Sequence, residues 1–267
     1  WRVAALGVLM AIFWMTEAIP IPATAMLPIP LIPLLNIASV KESVVAHSHP
    51  VIFLFMGGFI VALAMERWRF NLRVALFVLR FSGDRPAFVL GGFLVVSAFL
   101  SMWVSNTATT LMMLPIAASV VGVFAAHSTY DGQKRDAFSK ALMLSLAYGA
   151  SAGGMATLVG TPPNAFLSGF AKQSYGIEIG FVDWMFVALP ISILMLVAVW
   201  VVLTRVAFKI ENKRIPQIKE SIDAKLAEQG DPEFGEIMIG LIFLLLAALR
   251  AWHRTPGRFP PSAPIHR

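Results

Sequence analysis

The chain consists of long apolar runs that are separated by short charged segments. Residues 86–126 and 141–170 contain no Lys, Arg, Asp or Glu, and residues 184–204 form a third uncharged run. A helix needs about 20 consecutive apolar residues to cross the hydrocarbon core of a bilayer. The pattern therefore predicts an all-α integral membrane protein, a bundle of several membrane-crossing helices.

The first 85 residues are predicted to form scaffold helices. Several prolines interrupt the apolar run over residues 1–35, so one straight helix is forbidden and a first helix over about 3–18 is followed by a short, broken one. The polar residues 36–50 are predicted to form a loop. Over residues 66–85, five Arg alternate with large apolar side chains, which predicts an amphipathic helix at the membrane interface.

Basic residues flank the uncharged stretch 86–126 on both sides. Loops rich in Lys and Arg lie on the cytoplasmic side of a membrane. If both flanks are cytoplasmic, the stretch crosses the membrane an even number of times. Two alternatives satisfy this condition: two full spans, or a re-entrant helical hairpin with its tip at residues 101–107.

The following segments agree with alternating crossings. The loop over residues 171–183 is net negative, whereas residues 205–235 form a long polar loop with many Lys and Arg. Residues 141–170 and 184–204 are therefore predicted to cross in opposite directions, with the long loop in the cytoplasm. A last helix is predicted to begin near Ile237.

Composition excludes several other classes of protein. Hydrophobic residues make up 58% of the chain and charged residues 13%, whereas soluble domains carry about 25% charged residues. The net charge of +6 comes from basic residues between apolar runs, so we expect no nucleic-acid partner. The chain has no Cys, and its five His form no metal-like cluster with acids. Because no nucleophile–base pair is evident, we predict no catalytic residues and no enzymatic activity.

The first polar motif lies in the middle of the stretch 86–126. Six of the ten residues 101–110 are Ser, Thr or Asn. These side chains compete with a helix for backbone hydrogen bonds, so a break is predicted at Ser105–Thr107, with a new helix after it. Thr109 and Thr110 are expected to bond a carbonyl of the preceding turn or a neighbouring helix. Simple helix packing is the alternative for the triplet, but an Asn at membrane depth needs a dedicated partner.

The second motif is Gly160-Thr161-Pro162-Pro163-Asn164. Two adjacent prolines end the incoming helix, and Gly160 permits an unusual backbone conformation. Thr161 is expected to cap the outgoing helix, with Pro162 at its first position. The alternative is a proline kink between packed helices.

Irregular backbone at membrane depth persists where it lines a cavity or is buried in protein. Two breaks that each present a helix N-terminus are typical of the binding sites of secondary transporters, and they favour an anion. Residues 86–126 and 141–170, which contain the two breaks, have no Asp, Glu or His, and this argues against proton coupling. Hydroxyl and carbonyl oxygens instead suit Na⁺. Glu17 is expected to bond the backbone or a neighbour.

At these motifs the sequence resembles the divalent anion/sodium symporter family, the dicarboxylate, citrate and sulfate carriers. The likeness covers nearly all of residues 1–250. It is carried by Trp14–Pro20, Phe53–Gly58, Ser101–Thr107 and Gly160–Asn164.

The resemblance implies a re-entrant hairpin for residues 86–126 and a broken transmembrane helix for 141–170. It implies one Na⁺ bound by Ser101, Ser105, Asn106 and the Gly160 carbonyl. It also implies that the substrate carboxylates face Ser105, Asn106, Thr107, Thr161 and Pro162. The family works as a homodimer in the bilayer with an elevator motion. By resemblance, the chain would be a multi-pass protein of the bacterial inner membrane that couples Na⁺ to a dianion such as succinate or malate.

The sequence departs from the family pattern in one respect. The family has two inverted repeats, each with a Ser-Asn-Thr hairpin, but this chain has one such motif. Residues 184–250 are interpreted as a helix, a cytoplasmic loop and the start of a second repeat, and 251–267 as an aberrant Pro/Arg-rich tail. We therefore expect a truncated carrier. The alternatives are a membrane fragment that does not transport and a related carrier for sulfate or another anion with different coupling.

Overall fold

The computed structural model describes residues 1–48, 50–127, 131–211 and 213–252. Within these ranges the regular structure is entirely helical, which confirms the all-α prediction. Residues 1–56 and the residues from 57 onward form two compact units. The predicted aberrant tail lies outside the described residues, apart from the end of the last helix at Trp252.

The first unit begins with short helices whose ends follow the prolines. Helix α1 ends at Thr16, and the following residue, Glu17, has the left-handed backbone conformation with φ 49°. Pro20 stands directly before α2, and Pro28 is the first residue of α3. At these positions the missing N–H of proline removes no hydrogen bond from the helix. The helices are α1 (Arg2–Thr16), α2 (Ile21–Met26), α3 (Pro28–Leu34) and α4 (Val40–His47).

Helix α4 contradicts the predicted loop over residues 36–50. Ser39 and Glu42 form a capping box: the Ser39 hydroxyl accepts the Glu42 amide at 3.3 Å, and the Glu42 carboxylate accepts the Ser39 amide at 2.8 Å. This backbone hydrogen bond holds the pKa of Glu42 below its usual value. Ser43 then ties α4 to α3 by donating to the Ile29 carbonyl at 3.1 Å. The Ser-x-x-Glu signature was visible in the sequence, and polarity alone was the wrong guide.

The remaining chain forms nine further helices within the described residues, with α5 running across the boundary between the two units. Their bounds are α5 (Pro50–Arg67), α6 (Phe70–Leu79), α7 (Pro86–Ser101), α8 (Asn106–His127), α9 (Gly132–Met155), α10 (Pro162–Tyr175), α11 (Phe181–Val201), α12 (Pro216–Glu228) and α13 (Phe234–Trp252).

A helix lies within residues 66–85 as predicted, but α6 is shorter than this segment. Helix α5 ends at Arg67, and Arg69 adopts a left-handed conformation with φ 53° directly before α6. A 3₁₀ turn over Arg80–Ser82 then leads to α7. No Gly or Pro marks the turn at Arg69, so local sequence gave no signal for it. The interfacial position of this segment stays a prediction.

The core of the second unit is built around α7 and α9. Phe93, Phe138, Leu142 and other fully buried apolar side chains from α6, α7, α8 and α9 form one cluster. Helices α7 and α9 approach so closely that a Cβ on Gly153 would overlap the backbone of Ala98. Small residues allow this contact, as the glycine and alanine pattern of α9 indicates.

Helix α12 lies within the predicted loop over residues 205–235 and packs on the same core. Ile218 and Ile222 are almost fully buried in the cluster. The Ile215 amide donates to the Asp84 carbonyl at 2.8 Å, which fixes the start of the helix. Apolar residues spaced three and four apart are typical of a helix with one buried face. In this segment the many Lys and Arg favoured the prediction of a loop instead.

Two helices in the described part of the chain are long and apolar enough to span a membrane by length and composition. They are Asn106–His127 and Phe181–Ala207, the second being α11 extended by a π-helical turn over Val202–Ala207. Shorter apolar helices are Arg2–Thr16, Ile21–Leu34, Pro86–Ser101 and Phe234–Leu246.

A buried ion pair joins α6 to the first turn of α13. Arg73 donates through Nε to the Glu236 carboxylate at 3.0 Å, and Glu236 has a side chain only 5% exposed. The same guanidinium donates to the carbonyls of Gly230 at 2.9 Å and Gln229 at 3.2 Å. Arg73 therefore satisfies both the carboxylate and the end of α12.

Arg73→Met is expected to lower the free energy of unfolding by about 3–5 kcal/mol, because it leaves a buried carboxylate without its cation. Arg80→Met is the matched control, since the Arg80–Asp223 pair has side chains 53% and 39% exposed and should contribute about 0–1 kcal/mol. Thermal unfolding in detergent measures both. If both variants lost the same free energy of unfolding, the prediction that the buried Arg73 pair stabilises the protein more than the exposed Arg80 pair would be wrong.

Candidate functional site

The first break separates α7 from α8. The last turn of α7 closes with hydrogen bonds from Met102 to the Ala98 carbonyl at 3.1 Å and from Val104 to the Leu100 carbonyl at 3.0 Å. The Ser105 hydroxyl accepts the Ala108 amide at 3.2 Å, which makes Ser105 the N-cap of α8. The polar triplet thus interrupts the helix, and its serine begins the next one.

Ser101 and Asn106 face each other across this break. The Ser101 side chain is fully buried and donates its hydroxyl hydrogen to Asn106 Oδ1 at 2.5 Å. Asn106 therefore has a dedicated hydrogen-bond partner, as expected for an amide within an apolar segment. Both oxygens keep a lone pair, so each can still bind a cation.

The second break separates α9 from α10. Thr161 is the N-cap residue of α10, but its side chain makes no capping hydrogen bond, so the predicted side-chain cap is wrong. A cap normally binds the second or third amide of the helix. Pro163 occupies the second position without an N–H, and the Asn164 amide already donates to the Thr161 carbonyl at 3.2 Å.

Side chains from α10 and α11 satisfy the last carbonyls of α9. Asn164 Nδ2 donates to the Gly154 carbonyl at 2.9 Å and to the Thr157 carbonyl at 2.7 Å. Trp184 donates to Met155 at 2.9 Å, and Ser192 donates to Ala152 at 2.7 Å. Asn164 was not predicted as a site residue, and its side-chain amide supplies donors to carbonyls that the end of α9 leaves without helical partners.

The two breaks touch each other at two glycines. A Cβ on Gly154 would collide with the Asn106 amide. A Cβ on Gly160 would lie 2.5 Å from the Gly154 carbonyl oxygen and 2.9 Å from the Ser101 carbonyl oxygen. Only glycine allows this approach, so Ser101, Asn106 and Gly160 meet at one place.

The meeting point offers neutral oxygen atoms. In the described part of the chain, no hydrogen bond ends on the carbonyl of Ser101 or Gly160. Together with the Ser101 hydroxyl and Asn106 Oδ1, these are hard oxygen donors without formal charge. Oxygen atoms of this kind suit a small hard cation, and none of them takes up a proton near neutral pH.

The other predicted ligands lie at the starts of the outgoing helices. Thr107 and Pro162 have exposed side chains in the first turns of α8 and α10, and Thr161 is half-buried. Ser105 is half-buried beside Asn106. That these residues and Asn106 face the substrate stays a prediction. Na⁺ binding by Ser101, Ser105, Asn106 and the Gly160 carbonyl likewise stays a prediction.

The two threonines that follow the triplet behave differently. Thr110 donates to the Asn106 carbonyl at 2.8 Å, as predicted. Thr109 is fully buried, and its hydroxyl has no hydrogen-bond partner, so the prediction for it is wrong.

Comparison with known proteins adds an independent finding. A family model described as the sodium:sulfate symporter transmembrane region matches residues 1–256. The sodium-dependent dicarboxylate transporter SdcS of Staphylococcus saprophyticus is 37% identical over 249 residues, and that of Staphylococcus aureus strain USA300 is 39% identical over 251 residues. Each alignment covers 92% of this chain and 48% of the relative. The chain therefore spans about half the length of the curated relatives it matches.

Proposed function

Because the chain belongs to the sodium:sulfate symporter family, we propose that it takes part in the sodium-coupled transport of a small divalent anion. The family consists of membrane transporters, which confirms the predictions of a membrane protein and of no enzymatic activity. One observation carries the proposal beyond family membership: two helix breaks meet at Ser101, Asn106 and Gly160. The cell membrane of a bacterium is the proposed location.

The anionic nature of the substrate follows from the two helix starts. At the start of α8 the Asn106 and Thr107 amides have no partners within their own helix. Pro162 and Pro163 leave the start of α10 without N–H groups, so α10 attracts negative charge only through the positive end of its helix dipole. No Lys or Arg lies in residues 86–126 or 141–170 to bind an anion more directly. We propose a dicarboxylate such as succinate or malate, because the relatives are named dicarboxylate transporters. Sulfate is the alternative that the family description favours.

The proposed coupling ion is Na⁺. Binding a dianion with neutral groups alone is unfavourable at membrane depth, so a cation beside it lowers the cost. Ser101, Asn106 and the carbonyl of Gly160 supply the oxygen atoms, with Ser105 as a fourth proposed ligand. Neither uncharged segment has an Asp, Glu or His that could carry a proton in place of Na⁺.

Uptake of labelled succinate into proteoliposomes tests the proposal. With the purified chain reconstituted and an inward Na⁺ gradient applied, we expect accumulation that stops when choline replaces Na⁺. The Staphylococcus aureus relative serves as the positive control for the vesicles. Uptake that persists unchanged in choline would overturn the Na⁺ claim, and uptake of sulfate in preference to succinate would reassign the substrate.

A chain that covers 48% of its relatives also allows a second possibility, in which it binds Na⁺ and the anion without moving them. Thermal stabilisation by Na⁺ and succinate, measured on the same preparation, separates the two cases. Stabilisation without uptake supports binding alone. The homodimer implied by the resemblance stays a prediction that crosslinking in the membrane can test.

A further inference from the structure

Thr157 lies in the bend between α9 and α10 and belongs to none of the proposed ligand sets. Its side chain is 0% exposed. The hydroxyl donates to the Met102 carbonyl at 2.5 Å and accepts the Gly160 amide at 3.0 Å. One buried hydroxyl therefore joins the end of α7 to the loop before α10.

The direction of these hydrogen bonds is fixed. An amide N–H can only donate, so the Thr157 oxygen must accept from Gly160 and its hydrogen must point at the Met102 carbonyl. The Thr157 carbonyl in turn accepts Asn164 Nδ2 at 2.7 Å, which adds α10 to the same residue. Thr157 is thus hydrogen-bonded to both breaks.

We propose that Thr157 is a positioning residue that holds the two breaks in one register. Through its hydroxyl, the Gly160 carbonyl and the Ser101–Asn106 pair are presented together to the cation. The inference rests on the proposed function, because it assigns Thr157 an effect on Na⁺ binding. Without the hydroxyl, the Gly160 amide and the Met102 carbonyl lose their partners, and the loop can leave its place beside Ser101.

Three substitutions separate this effect from simple packing. Thr157→Val keeps the shape of the side chain and removes the hydroxyl, whereas Thr157→Ser keeps the hydroxyl and removes a methyl group. Thr109→Val is the matched control, because Thr109 is equally buried but its hydroxyl has no partner. A purely structural need for a branched side chain would make the Ser variant the worse of the two at Thr157.

Sodium titration of the full chain in nanodiscs, followed by thermal stabilisation, gives the main readout. For Thr157→Val we expect the half-saturating Na⁺ concentration to rise at least about tenfold, which equals about 1.4 kcal/mol. Thr157→Ser and Thr109→Val are expected to stay close to wild type. A wild-type Na⁺ response in Thr157→Val would overturn the inference and leave the proposed function intact.

Hydrogen exchange of the Gly160 amide is the second readout, and it needs no substitution. In the wild-type chain this amide is expected to exchange slowly because it is buried and bonded to Thr157. Free exchange there would overturn the inference even if the Val variant does not fold. If the wild-type chain shows slow exchange but no response to Na⁺ at all, the proposed function fails, and the two failures remain distinguishable.

Discussion

Asn106→Ala is expected to abolish Na⁺-dependent binding of the anion. The substitution removes Oδ1, which is both a proposed cation ligand and the acceptor of the buried Ser101 hydroxyl. It also opens space against Gly154, whose backbone packs on the Asn106 amide. Loss of a ligand together with a stranded buried donor should cost at least about 3 kcal/mol, or more than a hundredfold in affinity. Na⁺ titration with succinate present measures the effect.

Asn71→Ala provides the control for this substitution. Asn71 is 1% exposed in α6, outside both breaks, and its Oδ1 has no hydrogen-bond partner. The same loss of a buried amide there should leave the Na⁺ titration near wild type. Wild-type affinity in Asn106→Ala would refute the site assignment, and equal loss in both variants would point to general destabilisation instead.

Gly153→Ala is expected to prevent normal folding. The added Cβ would meet the carbonyl oxygen, carbonyl carbon and Cα of Ala98, all of them backbone atoms of α7 that cannot turn aside. Overpacking ordinarily lowers the free energy of unfolding by about 1–3 kcal/mol. An overlap with the backbone of a rigid helix should cost at least the upper value of this range. The better helix propensity of Ala, worth about 1 kcal/mol at most, does not offset it. The yield of monodisperse protein and its unfolding temperature measure the outcome.

Gly122→Ala is the matched control in α8. A Cβ on Gly122 would have no neighbour within 4 Å, so only the gain in helix propensity remains. We expect unchanged or slightly raised stability. If Gly153→Ala were as stable as Gly122→Ala, the close packing of α7 on α9 would be incorrect.

The helical class and the places of the two breaks could be predicted from local chemistry. Ser105 begins α8 as its N-cap, and two prolines begin α10. Both signals depend only on residues within a few positions of each other, so they can be recognised in the sequence without knowledge of the tertiary packing. The capping box at Ser39 is a local signal of the same kind, although the polarity of its segment favours a loop.

The bonds that hold the site together could not be predicted in this way. Thr157 finds its acceptor, Met102, 55 residues earlier in the chain. Nothing near Thr157 distinguishes its hydroxyl from that of Thr109, yet one joins two helix breaks and the other has no partner. Tertiary packing determines which of the two hydroxyls has a hydrogen-bond partner, and this packing cannot be derived from a single sequence.

The uncharged lining of the two breaks has a consequence for energy conversion. If the proposed site carries its ions across the bilayer, the side chains that surround them contribute no charge of their own, since residues 86–126 and 141–170 contain no Lys, Arg, Asp or Glu. The electrical work of one transport cycle is then set by the cargo alone, so that two Na⁺ with a dianion move no net charge and each further Na⁺ adds one. The voltage at which current through the carrier reverses would therefore report directly how many Na⁺ accompany each anion.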